Sequence, residues 1–214
     1  MIKYLLAILL ILSTSPSFAG MTIGSGGTLT LGAGTGTVSS NTGAHSPGTT
    51  SEIDSGSYID WANTDNVKAS DDVWATSSLN KNERTETILV TNFSFDVPSN
   101  ATITGIIVQV EARTSGLAAG AIREYNLQMY RDGAAIGSNL ATGGNWSGSA
   151  DTVYSSGSSS NLWGTTWTVT QINDVGTGVI FSAKEQNEND EVAKVDHIKV
   201  TVYYTETVAG SITF

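Results

Sequence analysis

The chain contains no cysteine. That excludes disulfide stapling, thiolate metal sites, a cysteine nucleophile and a lipid-modified anchor cysteine. Proline is scarce, at 3 residues, and histidine scarcer, at 2. Lys and Arg total 10 against 20 Asp and Glu, for a net charge of −10. No cluster of basic residues runs along the sequence, so phosphate neutralisation, and with it nucleic-acid binding, is not expected. An anionic membrane surface is disfavoured for the same reason. No apolar run is long enough to span a bilayer; the longest, Tyr4 to Leu12, falls well short.

What is present points outward from the cell. The opening "MIKYLLAILLILSTSPSFAG" has a positive residue at Lys3, a short apolar stretch and a small-x-small site at Ser17-Phe18-Ala19. Residues 1–19 read as a secretory signal peptide, with the mature chain secreted or at the cell surface. Glycine is abundant, at 23 residues, and Thr, Ser and Val recur throughout. Good helix formers rarely run together, so the expectation is all-β.

Residues 20–40 alternate apolar and small polar positions, with Ile23, Leu29 and Leu31 on one face. This Gly/Thr-rich arm reads as a detachable strand. Residues 41–57 read as a linker, and His45 within it as solvated. The main domain is expected over 58–206, with a tail at 207–214. Within it, "ATITGIIVQVEAR" places Ile106, Val108 and Val110 on one face. "EYNLQMYRDG" places Tyr125, Leu127 and Met129 inward and Glu124, Asn126 and Gln128 outward, then turns at Asp132-Gly133. "VDHIKVTVYY" places Ile198, Val200, Val202 and Tyr204 on one face. His197 and Lys199 take the other face, toward solvent. Adjacent strand residues point to opposite faces, so Asp196 and His197 do not form a catalytic dyad. Asp196 is expected to accept hydrogen bonds from loop backbone. Eight to ten short strands with turns between them give a single β-sandwich domain, jelly-roll-like, with an N-terminal extended strand.

Four blocks in order, "DWANTDNVKASDDVWATSSL", "TNFSFDVPSNATITGIIVQVEAR", "NLWGTTWT" and "VDHIKVTVYY", resemble a β-sandwich module of phage and prophage structural proteins and secreted bacterial surface proteins. They cover about two-thirds of the chain. Ser94 stands where the module's usual Phe-Gly-Phe has glycine. The resemblance implies a sandwich in an extracellular or virion setting and no particular reaction.

Candidate chemistry is sparse. Neither histidine lies in a nucleophile–base motif, and no enzyme is expected. "NENDE" gathers oxygen ligands at Asn187, Asn189, Asp190 and Glu191, a candidate Ca²⁺ loop that also reads as a hydrophilic hairpin tip. "NTDN" and "SDD", at 63–66 and 70–72, invite the same two readings. Of five tryptophans, Trp61, Trp74, Trp163 and Trp167 fall in the resemblance blocks and read as core. Trp146, in a Gly/Ser loop, is the candidate exposed platform for a glycan.

The leading expectation is a secreted structural subunit of an extracellular filament or surface assembly, a homopolymer joined by strand exchange through the arm. The alternatives are a carbohydrate-binding or adhesin module and a phage-derived tail- or fibre-like protein.

Overall fold

The alternating apolar stripes fold as strands, and their apolar faces meet in one core. The computed structural model describes residues 21–23, 29–31, 35–115, 122–186 and 190–209. The signal-peptide reading of 1–19 lies outside them. In chain order the strands are β1 (Met21–Ile23), β2 (Leu29–Leu31), β3 (Thr35–His45), β4 (Thr49–Ile53), β5 (Ala75–Leu79) and β6 (Thr87–Thr91). They continue as β7 (Ala101–Thr114), β8 (Ile122–Arg131), β9 (Ala134–Ile136), β10 (Thr152–Ser158), β11 (Gly178–Glu185) and β12 (Glu191–Ala209). One helical turn, α1 (Val169–Ile172), is closed by a capping box between Thr168 and Gln171.

The chain divides into two units. In the smaller, β1 and β2 pair antiparallel, with Ile23 opposite Leu29 and Met21 opposite Leu31. The larger, residues 39–206, is a β-sandwich: two antiparallel sheets packed face to face. The first sheet runs β10-β7-β12. The far edge of β12 is then covered in turn by β5, by Lys68 opposite His197, and by β3. The second sheet runs β4-β6-β11-β8-β9. The pairing is nested, β7 with β12 in one sheet and β8 with β11 in the other.

The core follows the expected stripes. Ile106, Val108, Val110 and Ala112 of β7 are fully buried, as are Ile198 and Val202 of β12. They face Leu127, Met129, Val179 and Phe181 of the second sheet. Burying side chains of this size contributes about 1.5–3 kcal/mol each. Trp61, Trp163 and Trp167 join this core, as expected, and Trp74 is half-buried.

Three departures have local causes. Residues 41–57, expected as a linker, carry the second part of β3, from Asn41 to His45, and all of β4. β4 pairs with β6 from Thr49–Thr91 to Ile53–Thr87, so the sandwich begins well before residue 58. Phe93, Phe95 and Val97 are buried in alternation, yet β6 ends at Thr91. Asn92 and Ser94 adopt left-handed φ of 59° and 53°, which breaks the ladder. The third departure is in β8. Ser182 pairs with Asn126 but Ala183 pairs with Glu124, leaving Tyr125 as the extra residue of a β-bulge. The bulge inverts the expected faces: Tyr125 turns out, 40% exposed, and Glu124 turns in, 2% exposed.

Candidate functional site

The bulged Tyr125 opens the most elaborate surface feature of the larger unit. Arg84 lies beside β11, where it bridges Lys184, and Lys184 in turn pairs with Arg123 of β8. Opposed residues share a face, so the register lines up three cations across the outer surface of the second sheet. Like charges placed directly opposite are destabilising. Among the described residues, none of the three forms a salt bridge with a carboxylate.

The Arg84 guanidinium lies over the rings of two tyrosines. Its central carbon lies 3.3 Å from the ring centroid of Tyr58 and 4.8 Å from that of Tyr125. The Lys184 ammonium lies 5.9 Å from the same Tyr125 centroid. Both contacts are of the cation–π kind, and the guanidinium N–H donors remain available to a ligand. No hydrogen bond from those donors to the described residues is formed. Arg84 and Tyr125 wall two adjoining cavities. One, about 350 Å³, is lined by Tyr58, Asn82, Glu83 and Lys184 among others. The other, about 400 Å³, is lined by Thr85, Thr87, Asn126, Gln128, Asn139 and Ser182. Both fall in the size range of small-molecule sites. The Oδ1 of Asn126 is buried and without a hydrogen-bond partner among the described residues.

Two side chains fix the stacked rings. Glu86, 1% exposed, accepts from the Tyr58 N–H at 2.9 Å, the Ser57 N–H at 3.1 Å and the Ser55 hydroxyl at 2.7 Å. Burial pushes its carboxyl up, but the hydrogen bonds from Ser55, Tyr58 and Ser57 outweigh burial and leave it lowered. Asn139 spans the bulge, donating to the Tyr125 carbonyl at 3.0 Å and accepting from the Leu127 N–H at 2.9 Å. Glu83 at the rim is engaged elsewhere, its Oε2 accepting from the Asn80 backbone at 2.7 Å.

The chain matches no protein family and no curated protein. The site therefore stands on its geometry.

The residues expected from the sequence land elsewhere. Trp146 is not an exposed platform. It is fully buried and stacks on Phe181, with centroids 6.1 Å apart and planes 10° apart. Its Gly/Ser surroundings suggested a loop, but its backbone N–H donates to the Ile122 carbonyl and ties this segment to the start of β8, with the ring inside. Of the Ca²⁺ candidates, Asn187 and Asn189 lie outside the described residues. Asp190 is exposed, and Glu191 is buried with its carboxylate accepting from the Thr114 hydroxyl at 2.8 Å. The Asp65 carboxylate of the "NTDN" turn is taken by Lys68 at 2.6 Å and the Thr50 hydroxyl. Among the described residues, no three His, Asp or Glu side chains gather as metal ligands. Ile23, Leu29 and Leu31 fall in the β1–β2 pair.

Both histidines are held more firmly than expected. His45 sets its two ring nitrogens against the carbonyls of Phe93 and Thr42, at 2.9 and 3.1 Å. His197 is 9% exposed rather than solvated, because Ser46 and Lys68 close over the edge of β12. Asp196 is the extra residue of a second bulge, between Val195–Ala112 and His197–Glu111. It is buried and accepts from the Asp71 N–H at 3.4 Å, the loop-backbone role expected of it. Among the described residues, no helix is long and apolar enough to cross a membrane.

Proposed function

We propose that this chain is a secreted, non-catalytic binding module of the carbohydrate-binding or adhesin kind, with the Tyr58–Arg84–Tyr125 groove as its ligand face. The observation that carries the reading is a guanidinium set against two exposed tyrosine rings, with no hydrogen bond from its N–H donors to the described residues. Ring stacking beside amide and hydroxyl groups suits a saccharide, which offers apolar ring faces and a hydroxyl rim. Catalysis has less support: the groove holds no pair of facing carboxylates and no nucleophile–base pair among the described residues. A glycan panel probed with the mature chain tests it. Binding that Tyr58→Ala or Tyr125→Ala abolishes, in protein that melts cooperatively, is expected; binding indifferent to both sinks the reading.

A second reading is a subunit of an extracellular filament or surface layer, joined by strand exchange through residues 20–40. Its support is β3, the strand those residues lead into. Ser39, Asn41, Gly43 and Ala44 of β3 are exposed, and a strand that buries so little is the kind that exchanges. Electron microscopy of residues 20–214 beside the same chain lacking 20–40 decides it. Filaments from the longer chain alone are expected; polymers that survive the deletion, or none from either, count against it.

A further inference from the structure

We infer that the groove recognises an anionic saccharide, with Arg84 and Lys184 reading a sugar carboxylate of the uronate class. The inference rests on the groove being the ligand face. The chain has 10 cationic side chains and a net charge of −10, yet three of the 10 stand in adjacent register on one sheet face. A row of like charges is unfavourable in the free protein. A bound anion reverses that sign. Arg84 adds geometry to charge. Its guanidinium lies against the rings of Tyr58 and Tyr125, contacts that restrain its N–H fork before a ligand arrives. A planar carboxylate fits that fork with two parallel hydrogen bonds.

The neighbouring cavity supplies the sugar's other needs. Asn126 presents a buried Oδ1 with no partner among the described residues, an acceptor suited to a hydroxyl donor. Thr87, Gln128 and Ser182 line the same cavity. Because Arg84 and Tyr125 wall both cavities, adjoining sugar units would sit on either side of the anion-reading wall. The rim acid, Glu83, holds its Oε2 on Asn80 and forms no salt bridge with Arg84 among the described residues.

The test uses the mature chain against three immobilised polymers: polygalacturonate, a sulfated polysaccharide and neutral dextran. Tight binding to polygalacturonate that weakens as salt rises is expected. Arg84→Gln should weaken it at least about tenfold, the worth of one charge-assisted bidentate pair. Arg84→Lys, which keeps the charge and loses the fork, should recover only a small part. Lys184→Gln, at a less enclosed position, gives the same readout should Arg84→Gln fail to fold. Preference for the sulfated polymer over the uronate would overturn the carboxylate assignment. Binding to dextran that survives Arg84→Gln but not Tyr125→Ala would overturn the anion inference and leave the groove reading standing. No binding to any polymer, nor to the wider glycan panel, would overturn both.

Discussion

Asn139 bridges the bulge at Tyr125 with one side chain. Its Nδ2 donates to the Tyr125 carbonyl at 3.0 Å, and its Oδ1 accepts from the N–H of Leu127, on the other side of Asn126. The same Oδ1 accepts from the Ala141 N–H at 3.0 Å. An amide is the side-chain group that donates and accepts at this reach. A bulge leaves ladder groups unpaired, and here a residue from the β9–β10 connection completes them. The orientation of Tyr125 over Arg84 depends on that clamp.

Asn139→Ala should therefore act at a distance from any ligand. It removes three partly exposed hydrogen bonds, and a loss of about 1–2 kcal/mol of stability is expected. It should also weaken ligand binding while touching neither stacked ring. Asn139→Asp keeps the acceptor and loses the donor, so it should fall between the two. Denaturant unfolding beside a binding titration checks this; unchanged binding in a destabilised protein would show that the bulge holds without the clamp.

Glu86 does for Tyr58 what Asn139 does for Tyr125. Its folded carboxyl lies below its ordinary value because three donors favour the ionised form against the cost of burial. A lowered carboxyl contributes stability that is present above its unfolded value, about 4.3. That contribution is lost as pH falls through the lower folded value. Glu86→Gln should cost about 1 kcal/mol at pH 7, from weakened bonds to three part-buried donors. The gap between wild type and variant should narrow as pH falls below about 4. Unfolding curves at pH 7 and pH 3 check it, and a gap independent of pH would show that the charge is not what holds the loop.

The sandwich was legible from residue alternation, and the groove at Arg84 and Tyr125 was not. β7 and β12 fall where period-two apolar runs place them, because burial on one sheet face imposes that period. In β8 the same rule misplaces Tyr125. Tyr125, Leu127 and Met129 alternate without a break, and nothing in those residues marks the extra one. The bulge arises from pairing with β11 and from the Asn139 clamp, both remote in sequence. The cation row is equally hidden. Arg84, Arg123 and Lys184 lie far apart along a chain with no basic cluster, and register alone aligns them. The reading of 41–57 as a linker failed on composition. Its Ser, Thr and Gly suggest a flexible tether, yet "TTSEI" earns a place as an edge strand through backbone pairing with β6.

Trp146 offers a direct check on its corrected place. A fully buried indole stacked on Phe181 is core, and Trp146→Ala should cost about 3–5 kcal/mol. Its N–H is buried without a hydrogen-bond partner among the described residues, so Trp146→Phe removes an unsatisfied donor and should cost far less. Thermal melts of the two variants separate a packing role from a ligand-contact role. A Trp146→Ala protein as stable as wild type but unable to bind glycan would restore the exposed-platform reading.

His197 sits where the edge of β12 passes from β5 to β3, so its protonation bears on how the sheet edge is closed. Its Nε2 is bonded to the Ser46 hydroxyl at 2.8 Å, and its Nδ1 is buried without a partner among the described residues. Burial lowers its pKa, the Lys199 charge lowers it further, and Glu111 and Asp71 pull the other way. In the unfolded chain a histidine titrates near 6.5. Just below about pH 6.5 the unfolded state therefore binds a proton that the folded state resists. The stability that His197 contributes is whole above about 6.5 and declines as pH falls toward its lowered folded value, by at most about 1.4 kcal/mol per unit. Asp196 beside it is raised by burial and titrates as well, so the comparison must be with His197→Gln, which leaves Asp196 in place. Wild type should lose stability between pH 7 and 5 faster than His197→Gln does. Parallel curves for the two proteins would mean that the ring is protonated in the fold as readily as outside it, and that the closure of the β12 edge does not depend on its neutral form.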